Sequence, residues 1–531
     1  MQAKPAQAKV CPTFKAPGGA WNAMKQPNAY ALRHAAPGIS EIQHRVSQGT
    51  LAPRACSPEG YVATSSMKSA LDNRYLLERG PISRVFLKYS LPSVVTMVFF
   101  GVQTLVDGVV VGNHLGPDAL GGINIVMPLY SFIMVLALIV SIGSQVLVSM
   151  ELGRKNSDKA QDAMSTGFKA LVAISLIVTV FLLLLAEPLI KLMGADERLL
   201  PFSLAYLKGL VPFILPLTLC FYSDAMLKAL GHPRFSMLTM SLSVVINVLL
   251  TFCFVIGLGW GTTGASVATG VAFTLGLLIS GSITFNPRQR LSMLKGRFHM
   301  PLLRRAVYNG SSEGVSEMAA SVSILIINLT VVRLLGADGV AAFTAINYIN
   351  FTGILLFLGI SDGLIPVLSY NYGAGNYQRI KRLLRFAAII NMSIGAMVFI
   401  VLQVFGRHVV LLFFDGSESQ ALQIAVDGLQ LFAFVFLVNG LNVLIIAYFT
   451  ALGEAKISII ISAARGLVFV LAGATVLPIF MGITGVWAAI PLAELLTLGV
   501  ALIAYKRFAL GADPLRGTGL PVKPVDCGKH F

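Results

Sequence analysis

From Ser83 onward, the chain alternates long apolar stretches with short polar breaks. Each stretch runs about 20 residues or more, enough for a helix rising ~1.5 Å per residue to cross a ~30 Å hydrocarbon layer. Glycine, proline and charge clusters mark the breaks. The pattern predicts twelve spans, at roughly 83–112, 119–149, 160–185, 200–229, 236–258, 263–285, 303–334, 339–370, 380–405, 423–452, 457–478 and 484–507. The fold class expected is an all-α polytopic membrane protein. An even number of spans puts both termini on one side. That side carries Arg84 and Lys88, Arg154 to Lys159, Arg288 to Arg305, and Arg379 to Arg385, whereas the other has only Lys191, Arg198, Arg333 and Arg407. The positive-inside bias makes the first side, and both termini, cytoplasmic, which predicts a multi-pass protein of the cytoplasmic membrane.

The spans also repeat. Leu115-Gly116-Pro117-Asp118-Ala119 recurs 220 residues later as Leu335-Gly336-Ala337-Asp338-Gly339, and Gly153-Arg154-Lys155-Asn156 falls on Gly373-Ala374-Gly375-Asn376. Ala229-Leu230-Gly231 returns as Ala451-Leu452-Gly453. Shared loop lengths and glycine positions point to duplication. Halves of six spans share one orientation, the parallel-repeat plan of transporters, with the substrate path between them. The organisation expected is an extension at 1–66, an N-terminal lobe at 67–285, a cytoplasmic linker at 286–301, a C-terminal lobe at 302–508 and a cytoplasmic tail at 509–531. The extension mixes Pro, Ala, Gln, Ser and Gly and has no apolar run long enough for a secretory signal. It reads as a basic transit peptide, a disordered tail, or sequence upstream of a true start at Met67.

Composition narrows the function classes. Hydrophobic residues make up 56 % of the chain and charged ones 12 %, with mean hydropathy +0.77, against about 25 % charged in a soluble domain. Too few polar side chains exist to face water, which excludes a soluble enzyme, a nucleic-acid-binding domain and a secreted disulfide scaffold. The net charge of +16 does not restore a nucleic-acid partner, because the bases lie between apolar runs. Five cysteines without paired spacing, and histidines none of which are four apart, predict no disulfide framework, no metal and no cofactor.

Charges inside hydrocarbon cost ~2.5–3.5 kcal/mol even on the lenient insertion scale, so each calls for a partner, a cavity or a function. Asp107 stands late in span 1, with Gln103 one turn earlier and Thr96 and Pro92 at helical spacing on the same face. Burial disfavours the ionised carboxyl, so it can exchange a proton or a monovalent cation with a cavity; a clamp satisfied by neighbouring helices is the other role open to it. Pro92 removes a backbone hydrogen bond and predicts a kink or hinge. In span 5, Thr239, Ser243, Asn247 and Thr251 recur every four residues. Asn247 is placed to bond a span 1 carboxylate, while Thr239 and Ser243 read as packing contacts.

In the second half, Glu313, Glu317, Ser321 and Asn328 share a face of span 7. Asn439 and Asn442 on span 10, Asp362 on span 8 and Asp224 on span 4 are further candidates, and Glu494 in span 12 has no partner evident in sequence. Tyr130, Tyr222 and Tyr348 would supply an aromatic wall for flat cations, or simply pack. The candidate cavity set is Tyr130, Glu317, Ser321, Asn328 and Asn442.

The order of these motifs resembles that of the multidrug and toxic compound extrusion (MATE) family. Leu91-Pro92, followed by Leu105-Val106-Asp107-Gly108-Val109-Val110-Val111-Gly112 and Leu115-Gly116, is similar to the family's first-helix signature. Ala229-Leu230-Gly231-His232-Pro233 resembles its Gly-containing turn, Asn247 falls on its span 5 asparagine, and Gly264 to Thr269 look like its sixth-helix start. Tyr370-Asn371-Tyr372-Gly373-Ala374-Gly375-Asn376, after Pro366, resembles the bacterial subgroup that exports cationic drugs. The likeness covers about residues 80–508. It implies an antiporter, not an enzyme, that exports organic cations from the bilayer or cytoplasm in exchange for H⁺ or Na⁺ by alternating access, a mechanism for which a monomer suffices. Carried over by position, Asp107 is the coupling carboxylate, with Gln103 and Asn247 around it. Many relatives place a second acid four residues after that asparagine; Thr251 stands here, which weakens a two-carboxylate Na⁺ site. The alternative is a flippase of lipid-linked oligosaccharides from the same superfamily, whose pyrophosphate cargo calls for several bases at membrane depth.

Overall fold

The computed structural model describes residues 75–414 and 420–511; the extension expected at 1–66 and the tail beyond 511 lie outside them. In the first half the helices are α1 (Ile82–Leu115), α2 (Pro117–Gly153), α3 (Ser157–Leu192), α4 (Leu200–Ala229), α5 (Pro233–Gly257) and α6 (Gly261–Thr284). In the second they are α7 (Met300–Gly336), α8 (Asp338–Gly373), α9 (Tyr377–Leu411), α10 (Gln420–Phe432 with Val435–Ala451), α11 (Ala455–Met481) and α12 (Ile483–Phe508). Eleven are long and apolar enough to cross a membrane alone; α10 supplies the twelfth only as two pieces meeting at 53°. The fold is all-α and polytopic.

The duplication extends to single backbone angles. α1 ends at Gly116 (φ 84°) and α7 at Gly336 (φ 60°), a left-handed turn that a side chain would resist. Gly231 (φ 88°) and Gly453 (φ 79°) match in the same way. Lys155 (φ 63°) is the one non-glycine with positive φ among the described residues, and it occupies the position that Gly375 (φ 73°) fills in the second half.

Departures from α geometry fall in equivalent helices. The end of α5 is a π-helical turn, Phe252–Gly257, directly after Thr251. α11 contains another, Ala464–Val468. Such turns add a residue to the helix circumference and re-aim neighbouring side chains.

The halves meet mainly at the end of the bundle that carries the connection between them, called here the linker end. A Cβ on Gly143 of α2 would collide with the Ala306 carbonyl of α7, and one on Gly310 with that of Ile139. Gly153 lies against the Tyr370 carbonyl and Gly373 against that of Met150, so residues 220 apart exchange contacts about a pseudo-two-fold axis. In α8, Gly359 and Gly363 admit the α1 backbone at Val94 and Tyr89. Glycine lets helices approach to backbone contact, the packing mode that works where lipid removes the hydrophobic drive. One apolar cluster here draws on both lobes, from Val85, Phe86 and Val146 to Leu364, Leu368 and Phe449. Towards the far end the clusters are lobe-specific. Val110, Val126, Ile190 and Ile214 belong to the first lobe, and Val331, Phe343, Val410 and Trp487 to the second. The lobes are joined at the linker end and part towards the other.

Candidate functional site

The α1 polar face turns into the first lobe, towards α5 and α2. Asp107 lies eight residues before the helix end, about 12 Å from it at ~1.5 Å per residue. Its carboxylate accepts a hydrogen bond from the Thr251 hydroxyl at 3.2 Å, and Gln103, one turn earlier, also interacts with it. Among the described residues no base forms an ion pair with Asp107. Asn247 does not take the role of its partner. It is fully buried and donates instead to Thr269 Oγ1 on α6 at 3.0 Å. Thr251, directly before the π turn, is the residue of α5 that reaches the carboxylate.

Aromatic rings surround this lobe's polar centre. Tyr130 on α2 and Tyr206 on α4 lie within electrostatic range of Asp107. Phe100, Phe221 and Phe273 stack on one another with centroids 5.5–6.2 Å apart and share an apolar cluster with Tyr130. Tyr206 was not evident from sequence, since only the packing of the helices brings it near Tyr130 and Asp107. The other two tyrosines are elsewhere: Tyr222 is buried with its hydroxyl on the Met164 carbonyl (2.6 Å), and Tyr348 is exposed, stacked on Phe413. Thr239 and Ser243 bond carbonyls of their own helix.

Pro92 is buried inside an unbroken α1, next to the contacts that α8 makes at Gly359 and Gly363. The Thr96 hydroxyl takes up the Pro92 carbonyl at 3.1 Å. The proline therefore belongs to the linker-end seam rather than to the Asp107 site.

The second lobe has its own polar centre. Glu494 on α12 is 4 % exposed and accepts from Asn439 (2.8 Å), Asn442 (2.7 Å) and Arg465 Nε (2.7 Å). Arg465 stands on the α11 π turn, ten residues into the span, about 15 Å deep. Asn442 thus belongs to this network and not to an open cavity wall. Glu317 and Ser321 are exposed on α7, and Asn328 is half-buried with its carbonyl oxygen unpartnered. Glu313 lies within electrostatic range of Glu317, Asp362 and Arg465. Asp362 itself holds Lys228 of α4 at 2.6 Å, an ion pair between lobes.

A separate cavity of about 780 Å³ opens at the far end of the second lobe, between Phe399, Gln403, Asp427, Phe434 and Trp487. None of the candidate site residues from sequence lines it.

Comparison with known proteins agrees with this architecture. A family model described as MatE matches twice, over residues 92–253 and 314–476, once in each lobe. The chain is 23 % identical over 449 residues to the multidrug export protein MepA of Staphylococcus aureus, covering 81 % of this chain and 95 % of that protein. Among solved structures, MATE in the straight conformation superposes with a TM-score of 0.78 at 21 % identity, covering 82 % of this chain and 98 % of that one. An outward-facing multidrug resistance MATE family transporter of the MOP superfamily gives 0.77 at 22 % identity, covering 82 % and 97 %.

Proposed function

Because the chain belongs to the MatE family, we propose that it is a secondary active antiporter that exports organic cations and drugs in exchange for H⁺ or Na⁺. The observation that carries this reading is Asp107: a carboxylate at membrane depth that a hydroxyl and an amide hold in place and no base neutralises. Leaving such a group charged in hydrocarbon is costly, so a mobile cation is the natural counter-charge. The stacked phenylalanines and the two tyrosines beside it offer π faces to a flat cation. Ten or more residues from either end of a span, Glu313, Glu317, Asp362 and Glu494 outnumber Lys169 and Arg465, a balance that favours positive cargo. A pyrophosphate-bearing lipid would need the reverse balance.

In this reading Gln103 and Thr251 orient Asp107, and Asn247 with Thr269 fixes the α5–α6 wall behind it. The basic loops put the linker end and both termini in the cytoplasm, so the joined linker end corresponds to the outward-facing state. A cation taken up by Asp107 from outside displaces the drug. It drives the change of state only by binding one conformation more tightly than the other.

The test is ethidium transport by the full chain in liposomes, with a pH gradient and a Na⁺ gradient imposed in turn. Transport against its own gradient is expected with at least one of them. Movement driven by neither, in protein shown to be folded, overturns the proposal.

A further inference from the structure

One buried ion pair bridges the lobes at the linker end. Lys228 on α4 is 4 % exposed, and its ammonium lies 2.6 Å from Asp224 Oδ2 and 2.6 Å from Asp362 Oδ2. Asp224 is one turn back on the same helix and is also held by the Ser236 hydroxyl. When the lobes rock, Asp224 travels with Lys228. Asp362, on α8, travels with the other lobe.

Opening the linker end therefore leaves Lys228 paired and Asp362 bare. Around Asp362 are Glu313 and, beyond it, Glu317 on α7, with Arg465 as the nearby base. Arg465 already serves Glu494. With Arg465 engaged, the uncovered carboxylates of Asp362 and Glu313 repel one another and call for an outside cation. A cation is already seated on it in the closed form, namely the Lys228 ammonium. Asn309, one turn before Glu313, is 3 % exposed with neither amide atom partnered, and it offers a neutral polar contact at the same level.

We propose that Lys228 is a tethered competitor of the transported cation. With the linker end open, an organic ammonium group binds at Asp362 beside Glu313. On closure, Lys228 takes Asp362 and displaces that group towards the Asp107 half of the cavity. This rests on the export reading and adds where cargo is first held and what expels it.

The probe is tetraphenylphosphonium, bound at equilibrium to the purified full-length protein. Lys228→Gln alone leaves two buried carboxylates facing each other and can fail to fold, so the informative variant combines Lys228→Gln with Asp224→Asn. It is expected to bind the probe about tenfold tighter than the unmodified chain, and to show a lower KM for ethidium together with a lower Vmax as release slows. Adding Asp362→Asn is expected to abolish the gain. An unchanged or weaker Kd in the folded double variant overturns the proposal, as does a gain that survives Asp362→Asn. If the unmodified chain moves no ethidium under either gradient, the export reading itself falls; an altered transporter with unchanged Kd removes only the role of Lys228.

Discussion

Two positions show how single residues divide between function and fold. Among the described residues Thr251 and Gln103 hold Asp107, so Asp107→Asn keeps the shape while removing the exchangeable charge. Drug resistance in a pump-deficient host is expected to disappear with expression unchanged, as read by growth on ethidium alongside immunoblotting; full resistance would exclude Asp107 as the coupling group. Lys155 makes the opposite case. It holds φ 63° in the turn where its repeat partner is Gly375, and a left-handed side chain costs roughly 1–2 kcal/mol, partly offset by the greater freedom glycine has in the unfolded chain. Lys155→Gly is expected to stabilise by about 0.5–1 kcal/mol, seen as a higher unfolding midpoint, and to leave transport alone because the side chain serves no site.

At the level of helices, the two π turns organise the two polar centres. One follows Thr251 on α5, and the other carries Arg465 on α11. Arg465→Gln would leave Glu494 charged and buried with only amide donors, a loss of roughly 3–5 kcal/mol for breaking a buried pair. Adding Glu494→Gln removes the stranded charge and is expected to recover most of the thermal midpoint; a double variant no more stable than the single would mean that packing, not charge, sets the cost. The spans, the repeat and the Asp107 stripe were legible in sequence because hydropathy and 3.6-residue spacing encode depth and face. The pairings were not. Asn247 turns to Thr269 and Glu494 finds Arg465 through the rotation of each helix against its neighbours, which one helix's sequence does not carry. Lys228 reads as a loop base beside Gly231, yet it is buried because α8 closes over it. The bend in α10 has no proline or glycine to announce it.

For the whole molecule, the connection between lobes would set where the proposed rocking occurs. Residues 286–299 are fastened along α3: Ser292 N donates to Gln161 (2.8 Å), Gly296 N to Ser165 (2.8 Å), Arg297 N to Asp162 (2.9 Å) and His299 N to Thr166 (3.1 Å). Leu291 and Met293 enter the first lobe's apolar cluster. The linker is thus tied to the first lobe, and in the proposed rocking the articulation would fall at His299, extended at φ −130° just before α7. The segment before α1 is tied the other way, with Arg379 of α9 donating to the Leu76 and Gly80 carbonyls at 2.9 and 2.7 Å. Each lobe therefore holds a strap at the linker end. Hydrogen exchange tests this division. The amides of Ser292, Gly296, Arg297 and His299 are expected to stay equally protected at rest and during ethidium turnover, because their acceptors move with them. If they exchange faster during turnover, the linker peels from α3 and the hinge lies earlier in the chain, so that the lobes rock about a loop rather than a single residue.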